Sequence, residues 1–311
     1  MAYYLAVDAG GTKTEFLLAE EDRELGRAVT GTIKRVNADA ETTARNLREA
    51  LAELERTTGV SMSRVTRTCV GTSGNTVPLV TDWLREGFRK HVAGPLLLVG
   101  DVEIALDAAF FGGRGVLALS GTGSNVAARA GNGEMMTAGG WGPILADQGA
   151  GHWIGIEGLR RGFLARDERR PTALLEAARR LWNLGSLEAL IEFANTQVPA
   201  RYGSQFAREV VALADGGDTV AQEILEQGGK DLASLVEMLI ERMRGIEGDG
   251  FEVPTVAFAG SILAHVGRVR ASIERTLRAR YADIRFIEKA VDPVRGALWR
   301  AMRDEGLGVR G

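Results

Sequence analysis

Tyr3-Tyr4-Leu5-Ala6-Val7-Asp8-Ala9-Gly10-Gly11-Thr12-Lys13-Thr14-Glu15-Phe16-Leu17-Leu18-Ala19-Glu20 is where the fold is first decided. An apolar, β-prone run meets a carboxylate, turns through two glycines and a threonine, and re-enters an apolar run. Tyr3–Asp8 and Glu15–Glu20 therefore read as neighbouring strands, with Glu24–Thr30 as the third strand of a meander. Further out, Ala44, Leu47, Leu51 and Leu54 recur at three- and four-residue spacing, which predicts a helix over Ala40–Thr58. Val65–Val70 reads as a strand, Leu79–His91 as a helix and Val102–Phe111 as a helix. Leu96–Val99 is a continuous apolar strand, suited to the buried middle of a sheet. The order is βββαβαβα.

A similar order follows from Gly115. Val116–Leu119, Asn125–Arg129 and Met135–Thr137 read as strands. A long helical stretch runs from about 151 to 244, with breaks near Arg169–Pro171, Gly185, Pro199–Gly203 and Gly216–Gly217. Thr255–Ala259 and Ile284–Ile287 read as strands, Ile262–Arg280 and Val294–Asp304 as helices. Setting the helical stretch aside gives βββαβαβα again. Ala118-Leu119-Ser120-Gly121-Thr122-Gly123-Ser124 repeats the form of Ala6–Thr12, an apolar strand running into a small polar glycine turn. The expectation is a duplicated α/β unit rather than two unrelated hairpins. The first domain is expected over residues 1–113, with a final helix over about 293–311 free to pack back on it. The second is expected over 114–292, with a helical insertion over about 151–250. Gly112-Gly113-Arg114-Gly115 reads as the hinge.

Composition narrows the function. At 311 residues the chain can bury a large core without disulfides. Its 38 basic and 41 acidic side chains leave a net charge of −3, which argues against a nucleic-acid protein working through a broad basic surface. The single cysteine, Cys69, removes any CxxC pair or all-cysteine metal site within one chain. Three histidines without HExxH spacing disfavour a histidine-built metal site. No apolar run approaches a membrane span, and Met1–Asp8 lacks the basic start of a signal peptide, so a cytoplasmic location is expected. Glycine is abundant, 40 of 311 residues against an average near ~7%, and it gathers at turns that matter below.

Asp8-Ala9-Gly10-Gly11-Thr12-Lys13-Thr14 has the parts of a phosphate cradle. Glycines let backbone N–H groups approach an anion, and threonine hydroxyls add donors. Asp8, at the strand end, is placed to hold a hydrated magnesium ion. The turn joins two strands and so fits neither the Walker loop nor the dinucleotide loop; alone, an ordinary tight turn explains it as well. Ser120-Gly121-Thr122-Gly123-Ser124-Asn125 is its counterpart, and two such cradles favour a nucleotide in an interdomain cleft. Asp101 follows the strand Leu96–Val99, where a carboxylate faces the ligand crevice of an open α/β sheet. Position alone suggests a helix N-cap; the paired cradles favour a base that accepts a hydroxyl proton during attack on a γ-phosphoryl group. Gly139-Gly140-Trp141-Gly142-Pro143 leads to Asp147-Gln148-Gly149-Ala150-Gly151-His152. Trp141 is suited to flank a sugar ring and Asp147 to accept hydrogen bonds from its hydroxyls. A structural loop, with Trp141 in the core and Asp147 in a turn, is the alternative. His152 reads as packing, and Gly260-Ser261 as a strand-to-helix turn that permits close approach of a flat group. The pairs Arg160-Arg161, Arg169-Arg170 and Arg179-Arg180 read as solvated faces.

Together these segments resemble the actin-like/hexokinase/heat-shock ATPase superfamily. The closer likeness is to the BadF/BadG/BcrA/BcrD ATPase family, which includes N-acetylglucosamine kinases. The resemblance implies two actin-like (ribonuclease H-like) α/β domains around a nucleotide cleft. It implies ATP and Mg2+ as cofactors, with Gly10, Gly11, Thr12, Lys13, Thr14, Gly121, Thr122, Gly123, Ser124, Gly260 and Ser261 at ATP. Asp101 matches the catalytic base; Asn37, Gly140, Trp141 and Asp147 fall at the sugar. The activity implied is phosphorylation of an aminosugar, at the 6-hydroxyl of N-acetylglucosamine or a relative. The partners implied are a small-molecule sugar and, at most, a second copy in a homodimer, with neither nucleic acid nor membrane. Gln148 and Ala150 stand where the family commonly has Glu and Ser, and Ser261 where it has a second glycine. An activator of 2-hydroxyacyl-CoA dehydratases, from the same family, would need two cysteines per subunit for its iron–sulfur cluster. A non-enzymatic actin-like nucleotide-binding protein is the third reading.

Overall fold

The computed structural model describes residues 1–196 and 199–303. The chain divides into two units, Met1–Gly113 with the segment from Val291 onward, and Arg114–Ala290.

In the first unit, β1 (Tyr3–Ala9), β2 (Lys13–Glu20) and β3 (Arg23–Gly31) form the antiparallel meander. Then follow α1 (Ala40–Thr58), β4 (Val65–Thr72), α2 (Pro78–His91), β5 (Leu96–Val99) and α3 (Asp101–Phe110). The sheet order is β3-β2-β1-β4-β5, with β4 and β5 parallel to β1. α1 begins where the Asp39 carboxylate accepts the Thr42 N–H and ends at left-handed Gly59. Alternation along β1 sends Leu5 and Val7 to one face, against Leu47, Leu51 and Leu54 of α1 and Leu84 and Phe88 of α2. Ala6 goes to the other face, with Cys69 of β4 and Ile104 of α3. β5 corrects an expectation: it is the edge strand, not a middle one. Its run of leucines reflects apolar neighbours on both faces rather than a strand on both sides.

In the second unit, β6 (Gly115–Ser120), β7 (Ser124–Arg129) and β8 (Met135–Gly139) repeat the meander. The helical segment is α4 (Gly151–Asp167), α5 (Leu174–Leu181), α6 (Leu187–Thr196), α7 (Pro199–Asp215) and α8 (Thr219–Glu247). β9 (Val256–Ala259) joins β6 in parallel and completes the order β8-β7-β6-β9. α4 and α7 cross closely, because a side chain at Gly155 would meet the Gly203 carbonyl at 1.8 Å. α9 (Ser261–His265) and α10 (Gly267–Arg280) follow. The single helix expected over Ile262–Arg280 is thus broken at Val266, which leaves helical dihedrals (φ −102°, ψ 84°) to bury its side chain in the core. The strand expected over Ile284–Ile287 reduces to one parallel bridge, Val256 to Phe286. Phe286 is held there by stacking on Phe258, with ring centroids 5.8 Å apart, more than by a ladder.

α11 (Pro293–Met302) belongs to the first unit, where Gly296 lets it approach α3 so closely that a Cβ would lie 1.7 Å from the Ile104 carbonyl. The expected helix ran to Asp304 or beyond; residues 304–311 lie outside the described residues. Among the described residues, no helix is long and apolar enough to cross a membrane.

Candidate active site

The first unit gathers its candidate residues at the carboxyl ends of its parallel strands. Asp8, one residue short of the end of β1, lies beside Gly71 of β4, which lies beside Val99 of β5. Ser73 and Asp101 are each two residues past that row, so Asp8, Ser73 and Asp101 crowd one end of the sheet. Asp101 is the first residue of α3 and Gly100 its N-cap, so the capping alternative fails. Its Oδ1 accepts the N–H of Val102 at 2.9 Å.

The turn Gly10-Gly11-Thr12 and Lys13 stand at the mouth, with Gly11, Thr12 and Lys13 exposed. Gly10 is required by the turn, because a Cβ there would meet the Lys13 carbonyl at 2.7 Å. Gly11 is not, because a Cβ there meets nothing closer than Asn37 Nδ2 at 3.7 Å. That same geometry places the Asn37 side chain over the cradle. Asn37 does not cap α1; Asp39 does. Thr14 is a correction. It is fully buried and its hydroxyl accepts the Ile33 N–H at 3.2 Å, so it holds the sheet instead of facing an anion.

Sequence reasoning missed Lys34. Only 4% exposed, it donates from Nζ to Ser73 Oγ. Nothing local signals this, because a lysine just past a strand ordinarily reads as solvated. The charges at this end of the sheet shift one another. Burial, then Asp101, then Glu15 push the Asp8 carboxyl up to about 7. Burial raises Asp101 as well, opposed by Lys34 and the Val102 N–H. Burial lowers Lys34, opposed by Asp101 and Asp8.

The second unit gathers its own set. The turn Gly121–Gly123 lies against Gly260-Ser261, and a Cβ at Gly121 would meet nothing closer than Ser261 Oγ at 3.7 Å. Gly260, at φ +88°, is required, because a Cβ would lie 2.3 Å from the Ser120 carbonyl. Thr122 is exposed at the tip. The start of α4 docks on this turn, with Gly151 N–H donating to the Gly121 carbonyl at 2.8 Å.

Asp147 sits beneath the turn in a left-handed conformation, buried, with Oδ1 accepting the Ser124 N–H at 3.3 Å. Burial raises its carboxyl, opposed by that N–H and by His152. Ser124 is a second correction, because its hydroxyl donates to the Gln148 carbonyl at 2.8 Å and is turned away from a phosphate. Trp141 is 76% exposed, which excludes the core alternative for it. Gly140, at φ +73°, packs on Asn125, where a Cβ would lie 2.5 Å from Nδ2. Asn125 Oδ1 and Gln148 Oε1 are buried without hydrogen-bond partners. Neither stood among the site residues expected from sequence; Asn125 was legible only as the residue closing the glycine turn.

Residues 5–301 match the BadF/BadG/BcrA/BcrD ATPase family, and the chain belongs to it. A curated relative, an N-acetylmuramic acid/N-acetylglucosamine kinase of Clostridium acetobutylicum, is 26% identical over 306 residues, 96% of this chain and 97% of the relative. The fold is shared with the crystal structure of a candidate N-acetylglucosamine kinase of Chromobacterium violaceum. The TM-score is 0.76 at 23% identity, over 97% of this chain and 99% of that one. It is shared more distantly with a ROK family glucokinase of Streptomyces griseus solved with glucose and AMPPNP. There the TM-score is 0.59 at 17% identity, over 96% and 98% of the two chains.

Proposed function

We propose that this member of the BadF/BadG/BcrA/BcrD ATPase family is an ATP-dependent aminosugar kinase. It transfers the γ-phosphoryl group of ATP to the 6-hydroxyl of N-acetylglucosamine or a close relative. The observation that carries the reading is the crowding of Asp101, Asp8 and the open Gly11 turn at one end of the first sheet. A base, an anionic metal ligand and a phosphate cradle stand together there, as phosphoryl transfer requires. The Clostridium relative's substrates favour an aminosugar acceptor.

Asp101 takes the proton of the attacking hydroxyl, with one carboxylate oxygen already fixed on α3. Gly10, Gly11, Thr12 and Lys13 present donors to the phosphates from the first unit. The turn Gly121–Gly123 offers the equivalent donors on the second unit itself, with Gly260 and Ser261 beside it for the adenosine. Asp8 fits a magnesium ion: its carboxyl lacks a neutralising partner strong enough to keep it acidic, and a lone oxygen ligand beside phosphates suits hydrated Mg2+. Among the described residues no group of three metal-binding side chains exists, so water and phosphate oxygens would complete the shell. When bound, the ion supplies charge neutralisation on the phosphate oxygens. The dehydratase-activator reading is poorly served by Cys69, whose thiol is buried in β4 and pushed up to about 12.

A coupled ADP-release assay against N-acetylglucosamine, glucosamine, N-acetylmannosamine, N-acetylmuramic acid and glucose tests the proposal. ADP release that no sugar stimulates overturns it.

Gly11→Ala and Gly121→Ala should both fold normally, because the protein has room for each methyl group. Each should weaken ATP binding by about 10–100-fold, the worth of a charge-assisted hydrogen bond lost to obstruction. Calorimetry checks this, and unchanged affinity in either variant removes that turn from the nucleotide site. Asp147→Ala should raise the sugar KM by roughly tenfold or more while the ATP KM moves less, because an unpaired buried polar group discriminates strongly. Asn37→Ala should do the same more mildly. A rise in the ATP KM alone would make Asp147 a support for the turn above it, through the Ser124 N–H.

A further inference from the structure

We propose that Ser120 and Ser124 are positioning residues for the second unit's phosphate turn. Their buried hydroxyls lock the turn onto the segment Asp147–His152, so that the Thr122 and Gly123 N–H groups stay free as a pair of anion donors. The proposal rests on the nucleotide part of the kinase reading and adds to it two residues that do not touch nucleotide.

Nearly every polar backbone group of the turn is already spent. The Gly121 carbonyl accepts the Gly151 N–H at 2.8 Å, and the Thr122 carbonyl accepts the His152 N–H at 3.3 Å. The Gly123 carbonyl accepts the Gly121 N–H at 2.9 Å, and the Ser124 N–H donates to Asp147 Oδ1 at 3.3 Å. Two donors remain. Among the described residues, neither the Thr122 nor the Gly123 N–H has a hydrogen-bond acceptor. In a planar trans peptide the carbonyl of one residue and the N–H of the next point in opposite directions. The Gly121 and Thr122 carbonyls are turned toward Gly151 and His152, so the Thr122 and Gly123 N–H groups are turned away from them. Two successive N–H groups on the open side of a glycine turn form an anion nest.

That orientation requires the turn to be held from behind. Ser120 Oγ donates to the Gly149 carbonyl at 2.9 Å, and Ser124 Oγ donates to the Gln148 carbonyl at 2.8 Å. Both serines are buried, one at each end of the turn, and their partners are adjacent residues. Gly149, at φ +70°, is backed in turn by α8, where a Cβ would lie 2.6 Å from the Gly228 carbonyl. α4 has no side-chain cap, and the two carbonyls of the turn take the N–H groups of its first two residues instead. Loss of either serine hydroxyl unties one end of the turn and leaves a carbonyl unpaired. A purely structural account would have the serines join two loops with no bearing on phosphate.

Calorimetry with adenosine, ADP and ATP separates the two accounts. Ser120→Ala and Ser124→Ala should each weaken ADP and ATP by about tenfold, the scale of one hydrogen bond, while adenosine stays within about twofold. Equal weakening of adenosine and ATP, or unchanged ATP affinity in either folded variant, overturns the proposal and leaves the kinase reading intact. Hydrogen exchange on the wild-type protein needs no variant. The Gly121 and Ser124 amides should be protected without nucleotide. The Thr122 and Gly123 amides should exchange freely, then slow by about tenfold or more under saturating AMPPNP but not under adenosine. If those two amides exchange as fast with AMPPNP as without it, the proposal fails even where neither variant folds. A wild-type protein that binds no ATP overturns both the proposal and the kinase reading. One that shows the expected pattern yet phosphorylates no sugar supports the positioning role and overturns the kinase reading alone.

Discussion

Asp101→Asn should leave the protein folded and lower the turnover of sugar by about 10²–10⁴-fold, the usual size of a general-base contribution. The fold should survive because the asparagine oxygen can still accept the Val102 N–H at 2.9 Å, and because Gly100, not Asp101, caps α3. Burial raises Asp101, so the base is less acidic than a surface aspartate and better matched to a hydroxyl proton. The loss should appear in kcat with sugar and ATP binding nearly unchanged, because proton removal matters chiefly in the transition state. Turnover within a few-fold of wild type by the folded variant would show that another group takes the proton.

Asp8→Asn should separate function from stability. The folded protein holds the Asp8 carboxyl near 7, and an unfolded chain holds it near ~3.9. Between those values the folded state keeps a proton that the unfolded state has released, so stability falls as pH rises through about 4 to 7. At pH 8 the full penalty is present. A neutral asparagine removes it, worth about 2–4 kcal/mol and several degrees in Tm. In EDTA the variant should therefore melt above wild type at pH 8, and the gap should close near pH 4. Magnesium-dependent turnover should meanwhile fall by about 10²-fold or more, because the carboxylate that would hold the ion is gone. Equal melting temperatures at pH 8 would mean that Asp8 is ionised without cost; undiminished turnover would remove it from the metal site.

Much of the fold is legible in short-range pattern. The helix over Ala40–Thr58 is read to the residue from its apolar stripe, and the Asp39 cap and Gly59 that bound it in the structure are local features too. Both meanders and the breaks near Arg169–Pro171, Gly185 and Gly216–Gly217 are equally local, whereas the break expected over Pro199–Gly203 is wrong, because α7 already runs from Pro199. Errors arise where a local pattern has two tertiary meanings. Leu96–Val99 is apolar because both faces are covered, which an edge strand between helices achieves as well as a central one. The run Ile262–Arg280 is helical on either side of Val266, and burial of that one side chain breaks it. Phe286 is drawn to Phe258 by its ring and leaves only a bridge where a strand is expected.

The candidate site divides in the same manner. Asp8, the Gly10-Gly11 turn, Gly121, Gly260 and Asp101 stand out because glycine turns and strand-end carboxylates are properties of neighbouring residues. The inward hydroxyls of Thr14 and Ser124 do not stand out, since their partners, Ile33 and Gln148, lie 19 and 24 residues away. The same holds for Lys34, whose burial depends on Ser73, 39 residues along the chain.

The sequence by itself determines the order of elements, the two matching hairpins and the positions where backbone can approach a phosphate. Those features follow from side-chain periodicity and turn stereochemistry, which act over a few residues. Only the tertiary structure decides which hydroxyls remain free, which charged side chains are buried, and that α11 joins the first sheet's core. Those outcomes depend on strand register and on exclusion of water, and both are set by contacts between segments far apart in the chain.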